Sequence, residues 1–312
     1  MKKRSNKVIF FGSEEFSVDS LVKLIEDGWD IKAIITKPDS KRGRGQKTSM
    51  PAVKEIGIRN DIPVWQPENL LDIKDKISEI QDRIGILVSY GKIVPKEILN
   101  LFEPTGIINL HPSLLPRYRG PSPIESPILN GDLETGVTFI KLIEKMDAGP
   151  IYYQKKLELS EQSNRQDMFR SLSSLGATEL VAVLPKIISN EYFAKEQDES
   201  QATYTKMVAK SDGVIDWNEP ADIIEKKIRA YQGWPKARAT LGPIDLSIIK
   251  AYSVPTNTGK PGDITITREA GLISVDTIKG AICIQELQPD GKSAMTSSEF
   301  IRGYESKITK AN

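Results

Sequence analysis

Short apolar runs of strand length constrain this chain most. Val8–Phe11, Ile31–Thr36 and Ile84–Val88 are almost wholly aliphatic or aromatic, and so is Ile107–Leu110 apart from Asn109. Runs this short, bounded by turn residues, read as buried strands rather than helices. Between the first two, Gly12-Ser13-Glu14-Glu15-Phe16 makes a tight turn. Ser13 is placed to cap a helix, and the two Glu suit its positive end. Val18, Leu21, Val22 and Ile25 then recur at helical spacing. The sum is a βαβ unit, which predicts a Rossmann-like parallel sheet. Gly-x-Gly-x-x-Gly is missing at the first turn, which excludes a nicotinamide or flavin cofactor held in the usual way.

The run at Gly106–Leu110 leads into Asn109-Leu110-His111-Pro112-Ser113-Leu114-Leu115-Pro116-Arg117-Tyr118-Arg119-Gly120. Pro112 ends the strand, having no N–H for the ladder. Asn109 and His111 share parity, so both project from one side of the strand end. His111 is the single histidine of 312 residues. Imidazole proton transfer near neutral pH therefore happens here or nowhere. A histidine satisfied in a turn is the bland alternative. The strand-end position, the neighbouring amide and the proline-stiffened loop favour a catalytic role.

Composition narrows the chemistry. One cysteine, Cys283, excludes an intrachain disulfide, and with one histidine it leaves no ordinary zinc site. No metal is expected. A serine triad would need His111, but no Gly-x-Ser-x-Gly elbow occurs. Net charge is +1, so a nucleic-acid partner must rest on local patches. No apolar run approaches the ~20 residues of a membrane span. The basic start is followed by too short an apolar run for a signal peptide, so a cytoplasmic protein is expected.

Two stretches carry a resemblance. Asn109–Gly120 is similar to the active-site signature of the 10-formyltetrahydrofolate-dependent formyltransferases. Leu142-Ile143-Glu144-Lys145-Met146-Asp147-Ala148-Gly149-Pro150 resembles that family's second motif. The resemblance implies a catalytic trio of Asn109, His111 and Asp147, a folate-contacting loop at Ser113, Leu114, Leu115 and Pro116, and 10-formyltetrahydrofolate as formyl donor. It runs through the second half of the chain at Ala202-Thr203-Tyr204, Ile215-Asp216-Trp217, Gly233-Trp234-Pro235-Lys236-Ala237 and Leu287–Lys292. Gly233 stands where the family pattern has Pro, and Asp290 where it has an apolar residue or Pro.

The residues themselves suit such a reaction. An amine attacking a formyl group needs a base, oxyanion donors and an acid for the departing nitrogen. Asn109 can donate but cannot be the base. His111 can donate or exchange a proton. Asp147 can charge the imidazole or relay the proton, and the sequence leaves those roles open. Arg117 and Arg119 are candidates for the folate's glutamate tail or a phosphate.

The remaining chain reads as two domains. Residues 1–189 form the catalytic α/β domain, with Gly136–Ile143 and Ile151–Leu159 as strands and Arg165–Ser189 as a closing helix. Residues 190–201 are polar and read as a linker. Residues 202–312 carry short strands and one helix, Pro220–Ala230, and suggest a small OB-fold-like β-barrel. Lys37–Ser49 is irregular and basic. Within it the segment Lys41–Lys47 holds Lys41, Arg42, Arg44 and Lys47 with two glycines and no acid. The resemblance implies a tRNA-acceptor loop there, with Arg42, Arg44 and Lys47 as contacts. The expected reaction is formylation of the amino group of methionyl initiator tRNA, by a monomer. An amino sugar or another small amine is the alternative acceptor, and a non-catalytic RNA-binding module is the third reading.

Overall fold

The computed structural model describes residues 7–42, 47–308 and 310–311, and only the backbone of residues 41, 42, 47 and 48. Two compact units emerge. The first holds residues 1–123, 134–158 and 169–205, and the second residues 124–133, 159–168 and 206–312.

The first unit is built on a seven-stranded sheet. Its strands are β1 (Lys7–Gly12), β2 (Asp30–Ile35), a short hairpin of β3 (Ser40–Arg42) and β4 (Lys47–Ser49) outside the sheet, β5 (Val64–Trp65), β6 (Arg83–Val88), β7 (Ile107–His111), β8 (Glu134–Lys141) and β9 (Ile151–Glu158). The sheet order is β5-β2-β1-β6-β7-β8-β9. The first five of these run parallel, and β8 and β9 close the edge antiparallel. The parallel core follows from its composition: Val8, Ile9, Phe10 and Phe11 are all buried, as strands covered on both faces require.

The two faces of β7 have different neighbours. Ile107 joins Ile9, Phe11, Ile35 and Leu87 in a cluster with Leu70, Ile73, Ile77, Ile98 and Phe102. Leu110, of opposite parity, lies against Gly176 of the helix Arg165–Ile188, where an added Cβ would come within 2.6 Å of its side chain. Asn109 and His111 therefore extend the Ile107 face, away from that helix. By length and composition alone the helix could cross a bilayer, contrary to the expectation from sequence. Its Leu172, Leu180, Val183, Leu184 and Ile187 side chains are buried within the protein.

Several local expectations change. Ser13 does not cap a helix; its hydroxyl accepts from Thr36 Oγ1 at 3.2 Å and Lys37 N at 3.1 Å, tying the ends of β1 and β2 together. The basic stretch read as irregular contains the β3–β4 hairpin, in which Arg42 pairs with Lys47. A 3-10 turn over Leu70–Ile73 is followed by the helix Lys74–Glu79.

The boundary also moves. The stretch expected as a linker, residues 190–201, is part of the first unit, as are residues 202–205. Lys195 pairs with Ile151, and Thr203 and Thr205 exchange backbone hydrogen bonds with Pro116 and Arg119. A polar composition alone cannot distinguish a linker from a strap whose polar groups are all used.

The second unit has antiparallel strands β10 (Ala237–Leu241), β11 (Ile244–Val254), β12 (Ile264–Thr267), β13 (Leu272–Asp276), β14 (Ala281–Pro289) and β15 (Met295–Thr296), ordered β10-β11-β14-β13-β12 with β15 on β14. The register shifts in β11 bend it, as a small barrel requires. The helix Ala221–Ala230 buries Ala221, Ile224 and Ile228 against the sheet's Leu246, Ile248, Ile282 and Ile284. A second helix, Ser297–Tyr304, starts on a capping box between Thr296 and Glu299. Residues 124–133 and 159–168 join this unit from far away in sequence: the helix Glu125–Asn130 packs on Ala221–Ala230, and Arg165 pairs with Glu125 at 2.6 Å.

Candidate active site

β7 delivers Asn109 and His111 to the carboxyl end of the sheet, where ligands of open α/β folds bind. Both are nearly enclosed, at 6% and 5% exposed. His111 Nε2 lies 2.9 Å from the carbonyl oxygen of Tyr118. A carbonyl only accepts, so Nε2 carries the proton and the neutral ring keeps its lone pair on Nδ1. Nδ1 faces Asp147 Oδ2 at 3.6 Å. That distance is too long for a hydrogen bond. The imidazole is thus oriented by the Tyr118 carbonyl, while Asp147 offers it a negative charge.

Asp147 is anchored separately. Its Oδ2 accepts from the Gly120 N–H at 2.8 Å, and its carbonyl accepts from Gln197 Nε2 at 2.8 Å. Tyr118 and Asp147 adopt φ of +62° and +49°. Left-handed backbone in a non-glycine residue costs on the order of 1–3 kcal/mol and persists where its surroundings impose it. Both residues that flank His111 carry this strain.

The loop Ser113–Pro116 divides into inward and outward groups. The Ser113 hydroxyl donates to the Arg117 carbonyl at 2.7 Å, and Leu115 is buried, its N–H donating to Thr138 Oγ1 at 3.1 Å and its carbonyl accepting from Gln154 at 2.8 Å. Leu114 and Pro116 are half-exposed and are the loop's available apolar surface.

The two arginines separate in the same way. Arg117 is exposed, its guanidinium 4.9 Å from the centre of the Tyr118 ring. Arg119 is 0% exposed, and its five N–H donors are taken by Gln197, Glu199 and Tyr204. It has none left for a glutamate tail or a phosphate, which removes it from the binding candidates. Arg119 holds the Glu199 carboxyl down to about 2, assisted by Lys145.

Of the basic loop, Arg42 and Lys47 lie opposite each other on β3 and β4, and Arg44 lies outside the described residues. In the second unit many cations are matched by acids. Lys226 pairs with Asp222 at 3.8 Å, Lys227 with Glu219 at 2.5 Å, and Arg229 with Glu225 at 2.6 Å. Asp290 is 3.4 Å from Arg238. Gly233 has φ +89°, which a proline, locked near about −65°, could not adopt.

Sequence reasoning missed Gln197, Gly120 and the strap at Thr203–Thr205. Gly120 and Thr203 lie within the motifs that carry the family resemblance but had no role of their own there, and Gln197 is an amide among Glu196, Asp198 and Glu199.

An imidazole with a free lone pair, a carboxylate beside it and an amide on the same strand can move a proton and receive a developing oxyanion. On an open α/β sheet with a separate antiparallel unit, this is the equipment of an acyl-transferring enzyme. Residues 6–184 match the model of the formyl transferase family and residues 207–305 that of the formyl transferase C-terminal domain. The chain belongs to the formyl transferase family. It is similar to the methionyl-tRNA formyltransferase of Sulfurihydrogenibium sp. (strain YO3AOP1), 38% identical over 305 residues covering 96% of this chain and 98% of that protein. A protein of the same name from Staphylococcus epidermidis (strain ATCC 12228 / FDA PCI 1200) is 34% identical, over 97% of this chain and 98% of its own. Among solved structures, an N-formyltransferase from Helicobacter canadensis, in complex with folinic acid and dTDP-3-aminofucose, shares the fold at TM-score 0.69 and 21% identity, covering 91% of this chain and 99% of that one.

Proposed function

We propose that this enzyme transfers the formyl group of 10-formyltetrahydrofolate to the amino group of methionyl initiator tRNA. The observation that carries the acceptor is similarity across both units, at 38% identity, to a protein named for that reaction. The sugar-modifying neighbour shares the fold at 21%.

The neutral α-amine of the charged tRNA attacks the formyl carbon, and its nitrogen, made cationic by the new bond, must then lose a proton. Asp147 and His111 Nδ1 face each other where that proton can be accepted. As the new C–N bond forms, the formyl oxygen gains negative charge. The Asn109 amide donates to it, and so does Nδ1 once protonated. When the intermediate collapses, the bond from carbon to the folate nitrogen breaks, and that nitrogen takes a proton from the imidazolium. Nε2 keeps its proton on the Tyr118 carbonyl throughout.

Leu114 and Pro116 offer the folate ring an apolar platform, while Ser113 and Leu115 shape the loop from within. Arg42 on β3 and Lys47 on β4, with Arg44 between them in sequence, would draw the tRNA acceptor end through its phosphates. In this reading the first unit performs the chemistry and the second contacts the tRNA, in a monomeric cytoplasmic enzyme.

The test is turnover of 10-formyltetrahydrofolate with charged initiator tRNA against turnover with a nucleotide-linked amino sugar. Formylation of the tRNA alone is expected. Formylation of the sugar alone would refute the proposed acceptor. Arg44→Ala should weaken the tRNA reaction while folate binding stays as it was; a wild-type rate would remove Arg44 from the tRNA contacts.

A further inference from the structure

Gln197 lies in the stretch whose composition suggested a linker, yet it is buried against the catalytic loop. We propose that Gln197 is a positioning residue for formyl transfer: it clamps the backbone that presents Asp147, and Arg119 and Glu199 hold the clamp in place. The inference rests on the formyl-transfer reading and on Asp147 as its carboxylate.

Every hydrogen-bonding direction of the Gln197 amide is used. Nε2 donates to the carbonyls of Asp147 at 2.8 Å and Gly149 at 2.7 Å. Oε1 accepts from Arg119 Nε at 3.1 Å and Nη2 at 2.8 Å. The orientation of the amide is forced, because a guanidinium only donates and a backbone carbonyl only accepts.

Arg119 is held in turn. Its remaining N–H groups reach Glu199 at 2.8 and 3.2 Å and the Tyr204 hydroxyl at 2.9 Å. Glu199 also accepts from Lys145 at 2.8 Å. Lys145 belongs to the same loop as Asp147, so the network leaves that loop at one point and returns to it at another. One carboxylate, Glu199, thus faces both the buried Arg119 guanidinium and the Lys145 ammonium.

The clamp acts where the geometry is least able to hold itself. Asp147 sits at φ +49°, a conformation that relaxes unless its neighbours impose it. Gly120 fixes the carboxylate end and Gln197 the main-chain end. Together they set the 3.6 Å separation from His111. Misplacement by about 1 Å in such a site costs on the order of a hundredfold in rate.

Two variants separate positioning from packing. Gln197→Glu keeps an acceptor for Arg119 and loses both donors to the loop. Gln197→Met loses the donors without adding charge. In full-length protein, with 10-formyltetrahydrofolate and charged initiator tRNA, both should lower kcat at least about tenfold, leaving the Kd for folate unchanged. Single-turnover rates should show Asp147→Ala/Gln197→Met no slower than Asp147→Ala alone, since the clamp then has nothing to place. Wild-type kcat in the folded variants would overturn the inference. So would an equal loss in the Asp147→Ala background, or failure of both variants to fold, which would make Gln197 a structural residue. Absence of wild-type turnover refutes the functional reading itself; wild-type turnover with unimpaired variants refutes the clamp alone.

Discussion

Gly149→Ala makes the sharpest demand on the loop that carries Asp147. Gly149 is not among the glycines at positive φ, so conformational freedom is not what it supplies. It supplies space. A Cβ there would lie 1.7 Å from the Lys141 carbonyl oxygen and 3.0 Å from its carbon. Carbon and oxygen in contact normally sit about 3.3–3.6 Å apart, so the two backbones must part by roughly 1.6–1.9 Å. Lys141 ends β8 and its N–H bonds to the Pro150 carbonyl at 2.9 Å, which pins the strand to the loop just past Gly149. The strand is held by the sheet, so the loop yields, and Asp147 is carried on it. Both Gln197 bonds are strained in the same movement. Displacement on this scale predicts a loss of about 10²-fold in kcat. Overpacking adds about 1–3 kcal/mol of destabilisation, or a Tm lower by about 2–4 °C per kcal/mol. The assay is steady-state formylation of charged initiator tRNA beside thermal unfolding followed by circular dichroism. Gly303→Ala is the control, since a Cβ at that helical position meets nothing within 4 Å. It should leave kcat unchanged and Tm unchanged or slightly raised. Wild-type kcat and Tm in Gly149→Ala would refute the steric reasoning.

His111→Ala should lower kcat by about 10²–10⁴-fold, and it leaves the Tyr118 carbonyl without its partner, which costs about 1–3 kcal/mol; a variant within tenfold of wild type would exclude His111 from proton transfer. Asn109→Ala should lower kcat by about 10²–10³-fold with little change in the KM for folate, because an oxyanion contact strengthens only as charge develops; a raised KM at normal kcat would make Asn109 a substrate-holding residue instead. Glu199 adds a pH signature to stability. Its carboxyl, ordinarily near 4.5, is held down to about 2 by Arg119 and Lys145. A depressed carboxyl contributes stability that is complete above its ordinary value and is lost as pH falls through the folded one. Glu199→Gln should therefore flatten the fall in Tm between about pH 4.5 and pH 2; an unchanged slope would show that the ion pair is not linked to folding.

Much of the first unit was legible in local pattern. Runs such as Val8–Phe11 and Ile84–Val88 can be satisfied only by burial on both faces, and β1 and β6 lie side by side in the parallel sheet. Parity alone put Asn109 and His111 on one side of β7, because alternation along a strand is a property of the backbone. Periodicity found Arg165–Ile188 to within a residue of its observed end. The helix Ser297–Tyr304 escaped, although Thr296 and Glu299 form its capping box at readable spacing.

The rest required the chain to be folded. Which partner orients His111 depended on where the Tyr118 carbonyl turns, and a left-handed tyrosine leaves no mark in composition. Arg119 looked in sequence like Arg117, a cation two residues away; burial against Gln197 and Glu199 made one a scaffold and left the other on the surface. Residues 124–133 and 159–168 joined the second unit, and residues 190–205 the first, through contacts between positions far apart in the chain. Strands, helix periods and face assignment come from interactions within a few residues, which the order of amino acids states directly. Unit membership and the hold on Asp147 come from pairings across tens of residues, and the tautomer of His111 from the turn that aims the Tyr118 carbonyl back at it; all exist only once the backbone has brought the partners together.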